Sequence, residues 1–339
     1  MNIGIISERP LAVHILRQAL TSTPAHRVIW IAKAADEAVK RCAKDTPDLV
    51  LMDLDKTGVN GVDVVRRIMA CSPCPILMVT DSVNGNAARV FDAMGHGALD
   101  AVDMPALGSG NAHMATPLLA KIDTIARLVG TSRTVTGSGA ASSALSSRPA
   151  GQGLLVGIGA SAGGPAALAT LLSGLPADFP GAIVIVQHVD EAFAAGMTEW
   201  LGQHSALPIR LAAEGDRPTP GTILQAGTSD HLVLKAANLL GYTPEPRHLV
   251  YRPSVDVFLQ SMSQMWAGDA LGVLLTGMGR DGALGLKALR DRGHHTIAQD
   301  EASSAVYGMP KAAVAIGAAV EVLPLCRIAT RLIAYCNEN

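Results

Sequence analysis

Short apolar runs alternate with helix-length amphipathic stretches along most of the chain. NIGII (2–6), RVIWIA (27–32), DLVLMD (48–53), PILMVT (75–80) and ALDAVD (98–103) are nearly continuous in their apolar residues, the pattern of strands covered on both faces. Between them, PLAVHILRQAL (10–20) and VDVVRRIMA (62–70) space their apolar positions as helices do. Five such units predict a doubly wound parallel sheet. The theme resumes with LLVGIGA (154–160), AIVIVQH (182–188), IRLAA (209–213), GVLLTGM (272–278), HTIAQD (295–300) and AAVEVL (318–323), predicting a second, larger α/β unit. GTILQAG (221–227) and HLVLKAANLLGYTPEPRHLVYRP (231–253) predict an antiparallel excursion from it.

Composition separates the two units. TSRTVTGSGAASSALSSRPAGQG (131–153) has no acidic residue and almost no large apolar one, so it cannot bury enough surface to order itself. The chain therefore divides into 1–130, a flexible linker at 131–152, and 153–339. Lys plus Arg total 27 against 29 Asp plus Glu, a net charge of −2, which argues against binding nucleic acid or an anionic membrane by bulk charge. No basic recognition helix follows the linker, which disfavours a DNA-binding regulator. Five cysteines, no leader pattern and no apolar run of membrane-spanning length predict a cytoplasmic protein without direct membrane insertion. Cys71 and Cys74 form a C-x-x-C with Pro73 inside it and no second pair, which reads as small apolar filler.

Functional groups of a parallel sheet gather where strands end at their carboxyl edge. In the first unit those ends carry Ser7 and Glu8, Asp53, Thr80, and Asp103 with Met104. Singly, each acidic residue suits a helix cap or a solvated turn. Together, with DLVLMDLDKTGVNG placing Gly61 eight residues after Asp53, they resemble a response-regulator receiver domain. The resemblance implies phosphorylation at Asp53, a switch hydroxyl at Thr80, and Mg²⁺ held by Glu8 and Asp53, since an aspartyl phosphate needs a cation to offset its charge. Ser7 replaces one member of the usual acidic pair, and Met104 stands where the family carries a lysine.

In the second unit VGIGASAGGP (156–165) admits three readings. G-I-G-A-S-A fits a dinucleotide-binding turn, though the next strand ends in QH rather than in an acidic residue. G-A-S-A-G fits a nucleophile elbow. Alternatively the glycines serve only a tight turn and Ser161 caps the helix beginning near Pro165. His188 ends the next strand, and Asp281 follows another in GVLLTGMGRDGALG, so a hydroxyl, an imidazole and a carboxylate reach one sheet edge. Those are the parts of a nucleophile, a general base and an orienting acid.

IGASAGGP, VIVQHVD, YRPSVDV, LLTGMGRDGALGLKALRDRG and TIAQDEASSAVYGMPKAA resemble the catalytic domain of the chemotaxis protein-glutamate methylesterase family, CheB. GHGALDAVDMPALG and QHVDEAFAAGMTEWL are similar to its WspF-like subgroup. The resemblance implies a CheY-like receiver followed by a Rossmann-like methylesterase domain. It implies Ser161 as nucleophile, His188 as base, Asp281 as orienting acid and the backbone N–H of Met278 toward the oxyanion, with no cofactor for catalysis. The implied partners are a methyl-accepting chemoreceptor as substrate and a CheA-type histidine kinase as phosphodonor. The family's frequent threonine after the serine is Ala162 here, which leaves open a catalytically weak, phosphorylation-responsive scaffold.

Overall fold

The computed structural model describes residues 1–21, 25–55, 61–83, 85–105, 116–129, 153–249 and 251–338. The chain divides into two compact units, Met1–Ser138 and Gly139–Asn339. That boundary and the expected linker at 131–152 lie outside the described residues.

In the first unit β1 (Asn2–Ile6), β2 (Arg27–Ala32), β3 (Leu49–Asp53), β4 (Ile76–Thr80) and β5 (Asp100–Asp103) alternate with α1 (Pro10–Thr21), α2 (Ala35–Lys44), α3 (Gly61–Cys71), α4 (Ala87–Gly95) and α5 (Thr116–Val129). The strands pair in parallel in the order β2-β1-β3-β4-β5. Every residue of β3 and β4 is buried, as central strands covered by helices on both faces require. Chain order reverses beside β1, so Asp53 and Thr80 emerge at the carboxyl edge beside the loop after β1. Cys74 is buried, Cys71 is exposed, and both are free thiols.

In the second unit β6 (Leu155–Ala160), β7 (Ala182–Gln187), β8 (Ile209–Leu211), β9 (Ile223–Gln225), β12 (Ala270–Leu274), β13 (His295–Gln299) and β14 (Glu321–Leu323) form one parallel sheet, ordered β14-β13-β12-β6-β7-β9-β8. The helices are α6 (Gly164–Ser173), α7 (Glu191–Gly202), α8 (Val255–Met265), α9 (Ala283–Asp291), α10 (Met309–Ala315) and α11 (Leu325–Glu338). The hairpin β10 (His231–Lys235) and β11 (Leu239–Thr243) is antiparallel, as expected. GTILQAG is not part of that excursion. Its strand β9 lies in the main sheet, parallel to β7 and β8, because all three of its residues are buried and need strands on both sides.

The chain enters at β6, extends to β7 on one side and returns to β12 on the other, which opens the crevice at the carboxyl end of β6. α8 lies close over β6, since a Cβ at Gly159 would collide with Val255. The N-terminus of α8 thereby reaches the same edge. Among the described residues no helix is long and apolar enough to cross a membrane.

Candidate active site

Ser161 directly follows β6, where its backbone is fixed from three directions. Its N–H donates to Thr276 O at 3.0 Å, while its carbonyl accepts from Gly164 N at 2.7 Å and Gln187 Nε2 at 2.9 Å. The helix cap is Gly163, in the left-handed region at φ 74°, with no side-chain cap bond, so Ser161 is not the N-cap of α6. Ser161 Oγ makes no hydrogen bond among the described residues. The loop after β12 presses against it, and a side chain at Gly277 would strike Ser161 Cβ.

His188 follows β7, its N–H donating to Ala160 O at 3.0 Å. Its ring stacks on Tyr251, with centroids 4.5 Å apart and planes within 1°. Its Nε2 lies 2.7 Å from Asp281 Oδ2. An ionised carboxylate only accepts, so the proton sits on Nε2 and the lone pair on Nδ1. Nδ1 is buried without a partner among the described residues, an open acceptor beside the serine's loop. The Ser161 hydroxyl is not bonded to it in this arrangement.

Four donors converge on Asp281. Oδ1 accepts from Ser254 Oγ at 2.8 Å and Asp256 N at 3.1 Å, and Oδ2 accepts from Val255 N at 2.7 Å as well as from His188. The carboxylate thus occupies the N-terminus of α8, where unpaired N–H groups and the helix dipole favour negative charge. Burial by itself would raise its pKa, but the hydrogen bond and charge of His188, then Ser254 and the Asp256 N–H, outweigh it and hold the carboxyl below its usual range. Behind Ser254, buried His231 accepts the Ser254 N–H on Nδ1 at 3.0 Å.

The helices exchange caps, since Asp256 of α8 accepts from Gly285 N of α9 at 2.7 Å. Burial, aided by the nearby Asp281 charge, pushes Asp256 up to about 6 despite that bond. A carboxyl with its folded pKa above its unfolded one binds more protons when folded, so its contribution favours folding below about pH 4 and is lost as pH rises to about 6. Asp256→Asn keeps an oxygen for Gly285. Its denaturant midpoint relative to wild type should be higher at pH 7.5 than at pH 4.5, and a difference independent of pH would refute the shift.

The backbone N–H of Met278 has no acceptor among the described residues and lies one residue beyond the glycine that abuts Ser161. Strand β12 is shorter than GVLLTGM suggests, because Thr276 N donates to Gln299 Oε1 at 2.7 Å instead of extending the ladder. Tyr251, Ser254 and Gln187 carried no sequence signal of their own beyond lying in YRPSVDV and VIVQHVD. Tyr251→Ala should lower kcat about tenfold while Tyr251→Phe stays near wild type, if the stack orients the imidazole. Equal rates for both would give the tyrosine no such role.

In the first unit Asp53 and Thr80 end β3 and β4, and both are buried. Glu8 is exposed and makes none of the contacts to Asp53. Arg9, which carries no motif signal of its own, pairs with Asp53 instead at 2.6 Å. Asp53 also accepts from Ser7 Oγ at 2.6 Å, and Thr80 Oγ1 donates to Asp55 at 2.7 Å. With a guanidinium on the carboxylate and a serine hydroxyl donating to it, this donor set does not fit Mg²⁺. Among the described residues no group of His, Cys, Asp or Glu has metal-holding geometry.

The CheB methylesterase family model matches residues 156–332, and the response regulator receiver domain model matches 3–106. The protein-glutamate methylesterase/protein-glutamine glutaminase 4 of Burkholderia thailandensis is 57% identical over 343 residues, covering 100% of this chain and 98% of its own. A relative from Pseudomonas putida, the protein-glutamate methylesterase/protein-glutamine glutaminase of its group 3 operon, is 57% identical over 337 residues, covering 99% of each. The crystal structure of the Thermotoga maritima CheB methylesterase catalytic domain is 33% identical, with a TM-score of 0.51, and covers 54% of this chain and 99% of that one. The two family models in this order, and this similarity along the whole chain, make the chain a member of the CheB methylesterase family with a receiver domain preceding the catalytic one.

Proposed function

We propose that the chain hydrolyses glutamyl γ-methyl esters on chemoreceptors to glutamate and methanol, and deamidates receptor glutamine, in a cytoplasmic chemosensory pathway. The observation that carries this reading is the His188–Asp281 pair at 2.7 Å, which leaves an open Nδ1 acceptor at the edge where Ser161 stands. In this reading Nδ1 takes the Ser161 proton as Oγ attacks the ester carbonyl. The Met278 N–H meets the developing oxyanion, and the imidazolium, held by Asp281, returns its proton to the leaving methoxide. Water, deprotonated by the same nitrogen, then cleaves the acyl-serine and restores the hydroxyl. An amide follows the same course with ammonia as the leaving group, which agrees with the double activity in the relatives' names. Each turnover adds one negative charge to a receptor helix, enough to bias a two-state signalling element.

The receiver unit is the regulatory element of this reading; its family implies a CheA-type histidine kinase as phosphodonor, and phosphorylation of Asp53 would first require its pair with Arg9 to be broken. No step here runs through Mg²⁺, which the Asp53 donor set does not fit. The test is release of methanol from methylated receptor membranes and of ammonia from receptors carrying glutamine. Release of neither product by the full chain or by its catalytic unit would favour a signalling scaffold, a reading to which Ala162 lends some weight.

A further inference from the structure

We propose that Arg9 and Asp55 make the Asp53 pocket a self-contained ion-pair network, with Arg9 standing in for the divalent cation and Asp55 for the phosphoryl oxygens that a receiver pocket ordinarily receives. This does not depend on the esterase reading, because every group involved belongs to the first unit.

The cationic half is Arg9. Asp53 is 1% exposed, and both of its oxygens are fully engaged. Oδ2 accepts from Ser7 Oγ at 2.6 Å and Arg9 Nε at 2.8 Å, while Oδ1 accepts from Arg9 Nη2 at 2.6 Å and Asp55 N at 3.1 Å. A carboxylate has about four lone-pair positions, and all are taken. A divalent ion would need some of those lone pairs back and would have to sit beside a positive guanidinium. Arg9 is anchored further by Nη1 on Asp81 Oδ2 at 2.7 Å, and its Nη2 lies 3.8 Å from Asp55 Oδ2. The paired carboxylates, Asp53 foremost through its hydrogen bond, keep the guanidinium firmly protonated. Glu8, the remaining acidic residue of that loop, is exposed.

The anionic half is Asp55. Its Oδ2 accepts the Thr80 hydroxyl at 2.7 Å and the Asp81 N–H, and its Oδ1 accepts Asn86 Nδ2 at 2.7 Å. Asn86 Nδ2 also lies 2.8 Å from Thr80 Oγ1. The hydroxyl and amides that would greet phosphoryl oxygens therefore already serve a side-chain carboxylate. Met104 adds no ammonium to draw a phosphoryl group in against them. While Arg9 holds Asp53, the pocket neither coordinates a dication nor takes phosphate, and its state changes only when that pair is broken.

The test titrates MgCl₂ into the full chain by calorimetry for wild type and Arg9→Met, and labels both with ³²P-acetyl phosphate, using Asp53→Asn as the blank. Arg9→Met is expected to bind Mg²⁺ at least about tenfold more tightly than wild type, and wild type to acquire no label beyond the blank. Equal Mg²⁺ affinities, at whatever level, overturn the proposal, as does Mg²⁺-dependent label on wild type that Asp53→Asn lacks. If Arg9→Met does not fold, the Arg9 Nε–H resonance of wild type decides. A signal that is exchange-protected and unmoved across the MgCl₂ titration supports the network, and one that shifts or vanishes on Mg²⁺ addition overturns it.

Discussion

Replacing Ser161 with alanine is expected to cut methanol release from methylated receptor membranes by about 10⁴-fold or more, while the unfolding free energy from denaturant titration moves by no more than about 0.5 kcal/mol. The asymmetry follows from how the residue is held. Every bond that fixes Ser161 is made to its own backbone: its N–H donates to Thr276 O, and its carbonyl accepts from Gly164 N and the Gln187 side-chain Nε2. Alanine keeps all three. The hydroxyl has no hydrogen-bond partner among the described residues, so removing it leaves no buried group unpaired. A protein that loses rate and keeps stability has lost its nucleophile. Unchanged release would move the chemistry elsewhere, and a marked loss of stability would make the hydroxyl a structural group.

Asp281→Asn should behave differently, lowering kcat by about 10⁴ and stability by about 2–4 kcal/mol. Ser254 Oγ, Val255 N, Asp256 N and His188 Nε2 all donate to this carboxylate. An asparagine turns one acceptor oxygen into an N–H₂ that faces donors whichever way it is rotated. On the catalytic side the imidazole loses the acceptor that fixes its proton on Nε2, so Nδ1 is no longer reliably the free base. On the structural side the α8 N-terminus loses a charged cap. Stability and kcat read by denaturant titration and single-turnover hydrolysis should fall together in this variant. A stable, inactive protein would mean that the helix end does not need the charge. A destabilised one with normal kcat would reduce Asp281 to a cap.

Both sheets were legible in the sequence because continuous apolar runs such as LVLMD and AIVIVQ are what strands covered on both faces require. The candidate site was legible to the extent that its residues follow strands, since Ser161 and His188 lie immediately beyond β6 and β7. The exception among strands is β9. Three residues are too few to show a period, and their pairing depended on having β7 and β8 to lie between.

Less visible were the groups that act on the candidate residues. Ser254 reads as an ordinary helix cap until strand order brings Asp281 to the same helix end. Tyr251 reads as one of few aromatics until it lies flat on His188. Arg9 follows a predicted site residue by one position, yet its meaning depends on a carboxylate 44 residues away.

The sequence by itself determined the strands, their buried character, the two α/β units, and the presence of Ser161, His188 and Asp281 in loops after strands. Backbone periodicity and local propensity suffice for these, because they are set by neighbours a few residues apart. Only the tertiary structure decided which imidazole nitrogen is free, which helix end carries the Asp281 charge, and which cation occupies the Asp53 pocket. Each of those depends on hydrogen bonds between side chains far apart in sequence, 93 residues for His188 and Asp281, whose meeting is fixed by strand order and helix placement.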